Sequence, residues 1–289
     1  MAGSIAFSAK AIIVKLAYRH GVDAVTLIML RMLFALPIFL LMAWWAGRGR
    51  PPLAARDRWA VAGLGFCGYY LSSFLDFAGL SLVSASLERL ILYLNPTLVL
   101  LLGVLLRGQR VDRRRWQGAG LSYLGVLLVF GHEVGLLGPG AALGALLVFL
   151  SAVSYATYLF FSADLVRRLG SLRLVGLATS VACGLCILQF LLLRPLQAAW
   201  VAPPVILLSL VNATLCTALP VLLVMMAIER VGPALTAQVG MVGPFATIAL
   251  GVWLLGEPIN GWVAAGAALV IAGIYRVSRV PAPPSGVAA

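Results

Sequence analysis

Apolar residues run through this chain in blocks of about 20, the length a helix needs to cross the hydrocarbon core of a bilayer. Short breaks carrying charge, Pro or Gly separate the blocks. The pattern predicts spans near 2–18, 24–46, 59–79, 82–106, 116–131, 141–163, 173–193, 204–228, 233–255 and 261–276. No polar linker interrupts them before the tail, residues 277–289, so they form one membrane unit. The first block contains Lys10 and Lys15 and has no charged region ahead of it, which is not the plan of a cleavable signal peptide. Counting back about 20 residues from its polar end at Tyr18 runs past Met1, so the first helix is expected to lack its beginning.

Composition agrees with this pattern. Hydrophobic residues make up 62% of the chain and charged residues 10%, against about 45–50% and about 25% in soluble domains. The net charge of +12 would suit a nucleic-acid binder, but the basic residues sit in short loops between apolar spans and build no soluble face. Arg48, Arg50, Arg56, Arg58, Arg107, Arg110, Arg113, Arg114, Arg115, Arg167, Arg168, Arg173, Arg230, Arg276 and Arg279 all fall on one side of a ten-span path. Only Arg19 and Arg194 fall in loops on the other. Because cytoplasmic loops hold the excess of Arg and Lys, both termini are expected in the cytoplasm, in a multi-pass protein of the inner (plasma) membrane. An odd number of spans would destroy the asymmetry.

Shifting the chain by 148 residues superposes two stretches without a gap. Pro96, Leu102, Gly103, Val104, Leu106, Gly108, Gly118, Ala119, Leu121 and Gly125 meet Pro244, Leu250, Gly251, Val252, Leu254, Gly256, Gly266, Ala267, Leu269 and Gly273. Five spans separate the copies, so the second half, 141–276, enters the membrane upside down relative to the first, 1–131. The charges record the inversion: Arg107, Arg110, Arg113, Arg114 and Arg115 correspond to Leu255, Pro258, Gly261, Trp262 and Val263. The expected fold is therefore an all-α integral membrane protein of ten transmembrane helices in two inverted five-helix repeats. Inverted repeats are a recurrent plan of secondary transporters, whose site lies near the midplane between the halves.

At these residues the chain resembles a known family, the EamA-type, ten-helix branch of the drug/metabolite transporter superfamily, across essentially its whole length. The resemblance rests on Lys15, Arg31, the run Ser84-Ala-Ser-Leu-Glu-Arg-Leu-Ile-Leu-Tyr-Leu-Asn-Pro-Thr97 and the turn Leu255-Gly256-Glu257. In the first half the matching turn usually reads Gly-Glu but here is Gly108-Gln109. The resemblance implies export or exchange of metabolites; the superfamily spans amino acids, nucleotide sugars, polyamines and drugs.

Enzyme chemistry has no support in the sequence. His20 and His132 stand at span ends, and Gly63-Leu-Gly65 and Gly118-Ala-Gly120 lack the strand and lysine of a phosphate loop. Cys183-Gly-Leu-Cys186 has metal spacing but no further ligands, and with Cys67 and Cys216 it reads as buried thiol. No catalytic residue, metal ligand or cofactor is expected. Charges inside spans are different, because each must be paired or wetted to survive in the membrane. Lys10, Lys15, Arg31, Asp76, Glu88 and Arg89 are such groups, all in the first half. Neighbours i and i+1 on a helix point about 100° apart, so Glu88 is expected to pair with Lys10, Lys15 or Arg31 rather than with Arg89. A second, uncharged candidate surface is Ser151, Ser154, Tyr155 and Tyr158 on one face of the sixth span, with Tyr93, Asn95, Asn212, Thr217 and Gln238 facing the same space. The expected partners are lipid and a small polar solute, an amino acid or similar metabolite among the compatible ones, with no nucleic acid. The rival to a transporter is a membrane scaffold or sensor that binds a solute without moving it.

Overall fold

Lipid offers no partners to backbone N–H and C=O groups, so an apolar chain crossing it must satisfy them within each segment. The computed structural model describes residues 2–108, 111–223, 243–257 and 260–278, and among them there is no strand. In chain order the helices are α1 (Ala2–Tyr18), α2 (Ala24–Gly47), α3 (Ala55–Gly65), α4 (Ser72–Leu80), α5 (Ala85–Leu92), α6 (Asn95–Arg107), α7 (Arg113–Leu137), α8 (Pro139–Leu169), α9 (Ser171–Leu193), α10 (Pro203–Ala213), α11 (Gly243–Leu250) and α12 (Gly261–Ser278). Among the described residues, six helical stretches are long and apolar enough to cross a membrane: Ala24–Gly47, Ala85–Arg107, Arg113–Leu136, Gly140–Ser162, Ser171–Leu193 and Pro203–Leu223. The protein is thus an all-α membrane protein. Its predicted spans near 204–228 and 233–255 lie partly outside the described residues.

Local sequence explains where the helices start, break and end. Asp23 caps α2 by accepting the N–H groups of Val25 and Thr26 at 3.0 and 3.2 Å, and Arg194 reaches the same carboxylate at 3.3 Å. Burial pushes this carboxyl up, but the donors from Thr26 and Val25 together with Arg194 outweigh it and hold it below the ordinary carboxylate range. Pro96 has no N–H for the carbonyl of Leu92, and the chain breaks at Tyr93-Leu94 between α5 and α6. Gly108 at φ 60° and Gly256 at φ 71° end their segments in the left-handed conformation that glycine adopts without strain. Two π-helical turns, Phe66–Leu71 and Thr214–Ala218, follow α3 and α10, and a third, Gly251–Leu255, follows α11. Such turns occur frequently at functional sites.

Several of these features recur 148 residues apart: α3 and α10, their π turns, and the left-handed glycines 108 and 256. Packing recurs in the same way. The α2 helix lies against α9 and α7 against α12, while α3 and α6 pack on α8 as α10 and α11 pack on α1. Replacing each helix by its counterpart 148 residues away maps these pairs of neighbours onto one another. The α7–α12 crossing shows it in detail. A Cβ on Gly125 would stand 2.5 Å from the Gly266 carbonyl oxygen, and one on Gly273 would stand 2.5 Å from that of Gly118. Residues 118 and 125 correspond to 266 and 273, so one glycine contact is the image of the other. Close backbone approach at small residues is the usual means of joining helices where lipid removes the hydrophobic drive.

The outer surface is apolar. Leu105, Leu192 and Leu193 are largely exposed, and Trp59, Trp200 and Trp253 are 80%, 90% and 79% exposed near helix ends, where an interfacial aromatic belt would place them.

Candidate functional site

A cavity of about 300 Å³ opens between α1, α2, α4, α5, α6, α8 and the π turns Phe66–Leu71 and Thr214–Ala218. Its apolar wall is Met32, Leu92, Pro96 and Val221, and its polar wall brings together Lys10, Arg31, Asp76, Arg89, Tyr93, Asn95, Ser151 and Tyr155. These two turns face it, through Gly68 and Tyr69 on one side and Thr217 on the other. Lys10 sits about 12 Å along α1 from Tyr18 and Arg31 about 10 Å along α2 from Ala24, so the site is inside the bundle rather than at its rim.

Lys10 organises the charges. Its Nζ lies 2.5 Å from Asp76 Oδ2 and 3.7 Å from Glu88 Oε1, and all three side chains are under one-tenth exposed. Glu88 pairs with Lys10 as anticipated, yet Arg89 also comes within 3.8 Å of it, contrary to the sequence expectation. The Cα–Cβ vectors of neighbours do diverge, but the arginine stem is long enough to bring Nε back to the preceding carboxylate. Arg89 also donates to the Ser8 carbonyl at 3.4 Å, which ties α5 to α1. Arg31 takes another route: it donates to Ser73 Oγ at 2.9 Å and stacks over the Phe77 ring, 4.6 Å from its centroid.

The uncharged candidates divide. Ser151 and Ser154 donate to the carbonyls of Ser72 and Cys67 at 2.7 Å, so their hydroxyls join α8 to the irregular backbone around the first π turn. Tyr155 lines the cavity, whereas Tyr158 stands behind it against Gly68, where any Cβ would collide with its ring. Tyr69, Tyr155 and Tyr158 form an aromatic cluster with centroids 5.2 to 6.4 Å apart. Asn95 lines the cavity, and its Oδ1 accepts no hydrogen bond. Asn212 is buried outside the lining with neither amide atom bonded. Gln238 lies outside the described residues. The thiols of Cys183 and Cys186 are buried and unlinked.

Lys15 belongs to a second cluster, at the end of the bundle that holds few arginines. Its Nζ lies 3.8 Å from Glu257 Oε1, and Glu257 also accepts the Ala85 N–H at 2.9 Å and the Ser86 hydroxyl at 3.0 Å. Glu133 accepts the N–H of Ser84 at 3.1 Å and the hydroxyl of the same residue. Two carboxylates from α7 and the α11–α12 turn therefore hold the N-terminus of α5, where they also complement the helix dipole. Arg19 adds a bond of 2.8 Å to the Leu255 carbonyl. Glu257 carried the family resemblance but was not among the expected site residues, and Glu133 was missed. Its only sequence signal was a carboxylate at the end of a span, level with the serines that begin α5. Met32, Tyr69, Ser72 and Ser73 were missed because they read as ordinary helix.

The EamA-like transporter family profile matches residues 1–131 and 142–279. A curated relative, the "Uncharacterized transporter YcbK" of Bacillus subtilis (strain 168), is 31% identical over 273 residues, covering 89% of this chain and 84% of its own. A solved structure titled only "Crystal structure of protein" aligns with 95% of this chain and 94% of its own at a TM-score of 0.63 and 21% identity, a likeness of fold.

Proposed function

Since the chain belongs to the EamA-like transporter family, and is a membrane transporter and not an enzyme, we propose that it moves a small polar solute through the 300 Å³ cavity by alternating access. It works as a secondary exporter or exchanger, driven by solute exchange or a proton gradient. The observation that carries this reading is the buried Lys10–Asp76–Glu88–Arg89 cluster against a cavity inside the bundle. Buried charge in a membrane is costly to keep, and it is retained where an ion or solute path needs it. The exchange-symmetric packing of the helices supports two halves that rock about the cavity. The division of arginines supports an inner-membrane protein with both termini in the cytoplasm. In that orientation the Lys15–Glu257 and Arg19–Leu255 contacts close the external side.

Metabolite screening by counterflow in reconstituted vesicles tests the reading. Saturable uptake that an internal solute accelerates is the expected result; binding of solutes with no flux in either direction would make the protein a sensor or scaffold instead. Within that assay, Glu88→Gln should abolish or strongly reduce flux while the detergent-solubilised variant still folds. Normal flux in both Glu88→Gln and Asp76→Asn would take the carboxylates out of the transport cycle.

A further inference from the structure

We infer that Arg31 anchors the carboxylate of a compact organic anion whose apolar or aromatic body fills the rest of the cavity; this deepens the proposed transport reading and rests on it. Arg31 is 4% exposed and lines the cavity. A guanidinium has five N–H donors. Ser73 accepts from one, the Phe77 ring covers the face, and Nε has no acceptor.

No carboxylate among the described residues forms an ion pair with Arg31. Asp76 acts on it only at longer range and is already held by Lys10. Every other ionised group at the cavity has an opposite charge beside it: Lys10 has Asp76 and Glu88, and Arg89 has Glu88. With all groups ionised, three cations face two carboxylates, and the surplus charge is Arg31.

A buried guanidinium with unused donors is completed by a planar oxyanion, which its fork can bind through two parallel bonds. The neighbouring surface decides what else the solute carries. Met32, Leu92 and Pro96 offer apolar contact and the Tyr69 and Tyr155 rings offer aromatic contact. The unbonded Asn95 Oδ1 offers an acceptor for one hydroxyl or amine donor. A volume of about 300 Å³ is at the small end of ligand pockets and suits a single-ring solute.

Three probes with one body separate the possibilities: 3-(4-hydroxyphenyl)propionate, its uncharged primary amide, and tyramine, titrated into the purified full-length protein in nanodiscs. The anion should bind saturably and at least about tenfold more tightly than the amide, as expected for charge-assisted bonds, with tyramine weakest. Arg31→Gln should cost the anion about tenfold or more while leaving the amide almost unchanged. Arg31→Lys, which keeps the charge and replaces the fork with a point, should fall between. Equal affinity for anion and amide, preference for tyramine, absence of binding by all three, or a head-group preference unchanged in Arg31→Lys would each overturn the assignment. Vesicle counterflow with the same probes keeps the two readings apart. Arg31-dependent binding without flux leaves the anchor standing and removes transport, whereas robust flux of tyramine that ignores Arg31 does the opposite.

Discussion

Lys10 holds two carboxylates at once, and that sets how the cluster fails when it is cut. Removing one member of a buried ion pair leaves a charge without compensation, a loss of about 3–5 kcal/mol. Lys10→Met should therefore lower the Tm of the detergent-solubilised protein sharply, while Lys10→Met combined with Asp76→Asn should recover part of the loss, because the second change removes one of the stranded charges. A double variant no more stable than the single one would mean that Lys10 does not hold the pair. The existence of this cluster was legible in the sequence, since charges in apolar spans are few and must meet something. Its wiring was not. Lys15 was available to Glu88 on helical geometry, but it is drawn to Glu257, a residue 242 positions away in the chain, whose approach depends on how the halves pack. Ser151 and Ser154 were legible as a polar face, and only the irregular backbone at Phe66–Leu71 reveals that their hydroxyls hold helices together.

At the scale of elements, the apolar blocks announced nearly every helix because lipid leaves the backbone no alternative. Their interruptions were harder to see. Pro96 marks one break by removing a donor, whereas the π turns at Phe66–Leu71 and Thr214–Ala218 carry no residue that dictates them. Glycine spacing, by contrast, translated directly into packing. Gly125 faces the Gly266 backbone across the α7–α12 crossing, whereas a Cβ at Gly120, on the same helix, meets nothing within 4 Å. Gly125→Val should force the helices apart and cost about 1–3 kcal/mol or more. Gly120→Val should leave the unfolding free energy within about 0.5 kcal/mol of the parent, as a surface change does. Thermal unfolding of the two variants side by side checks this: equal losses would show that helix propensity, and not the crossing, governs both positions.

For the whole molecule, orientation and closure belong to one question, because contacts at a given end gate the path only from the side that end faces. Single cysteines at Ala54 and Gly138, introduced where Cys67, Cys183, Cys186 and Cys216 have been replaced, should report the orientation. A membrane-impermeant thiol reagent applied to intact cells is expected to label position 138 and spare position 54, and the reverse pattern would invert the protein. With the external end so located, the Lys15–Glu257 contact becomes the test of alternating access. It joins α1 to the turn between α11 and α12, and the same glutamate holds the start of α5, so on the proposed reading these bonds must break for the cavity to open on this side. Mere weakening of the contact by substitution would be ambiguous, because a loosened seal and a destabilised bundle both reduce flux. Fixing it closed is not ambiguous. Lys15→Cys with Glu257→Cys, joined by a short reducible bis-thiosulfonate reagent, should bind solute from the opposite side yet stop counterflow, and reduction of the linker should restore it. Each single variant treated alike should keep whatever flux it shows untreated. A linked protein that still exchanged solute at the unlinked rate would show that this end does not move during the cycle, and the alternating-access reading would fall with it.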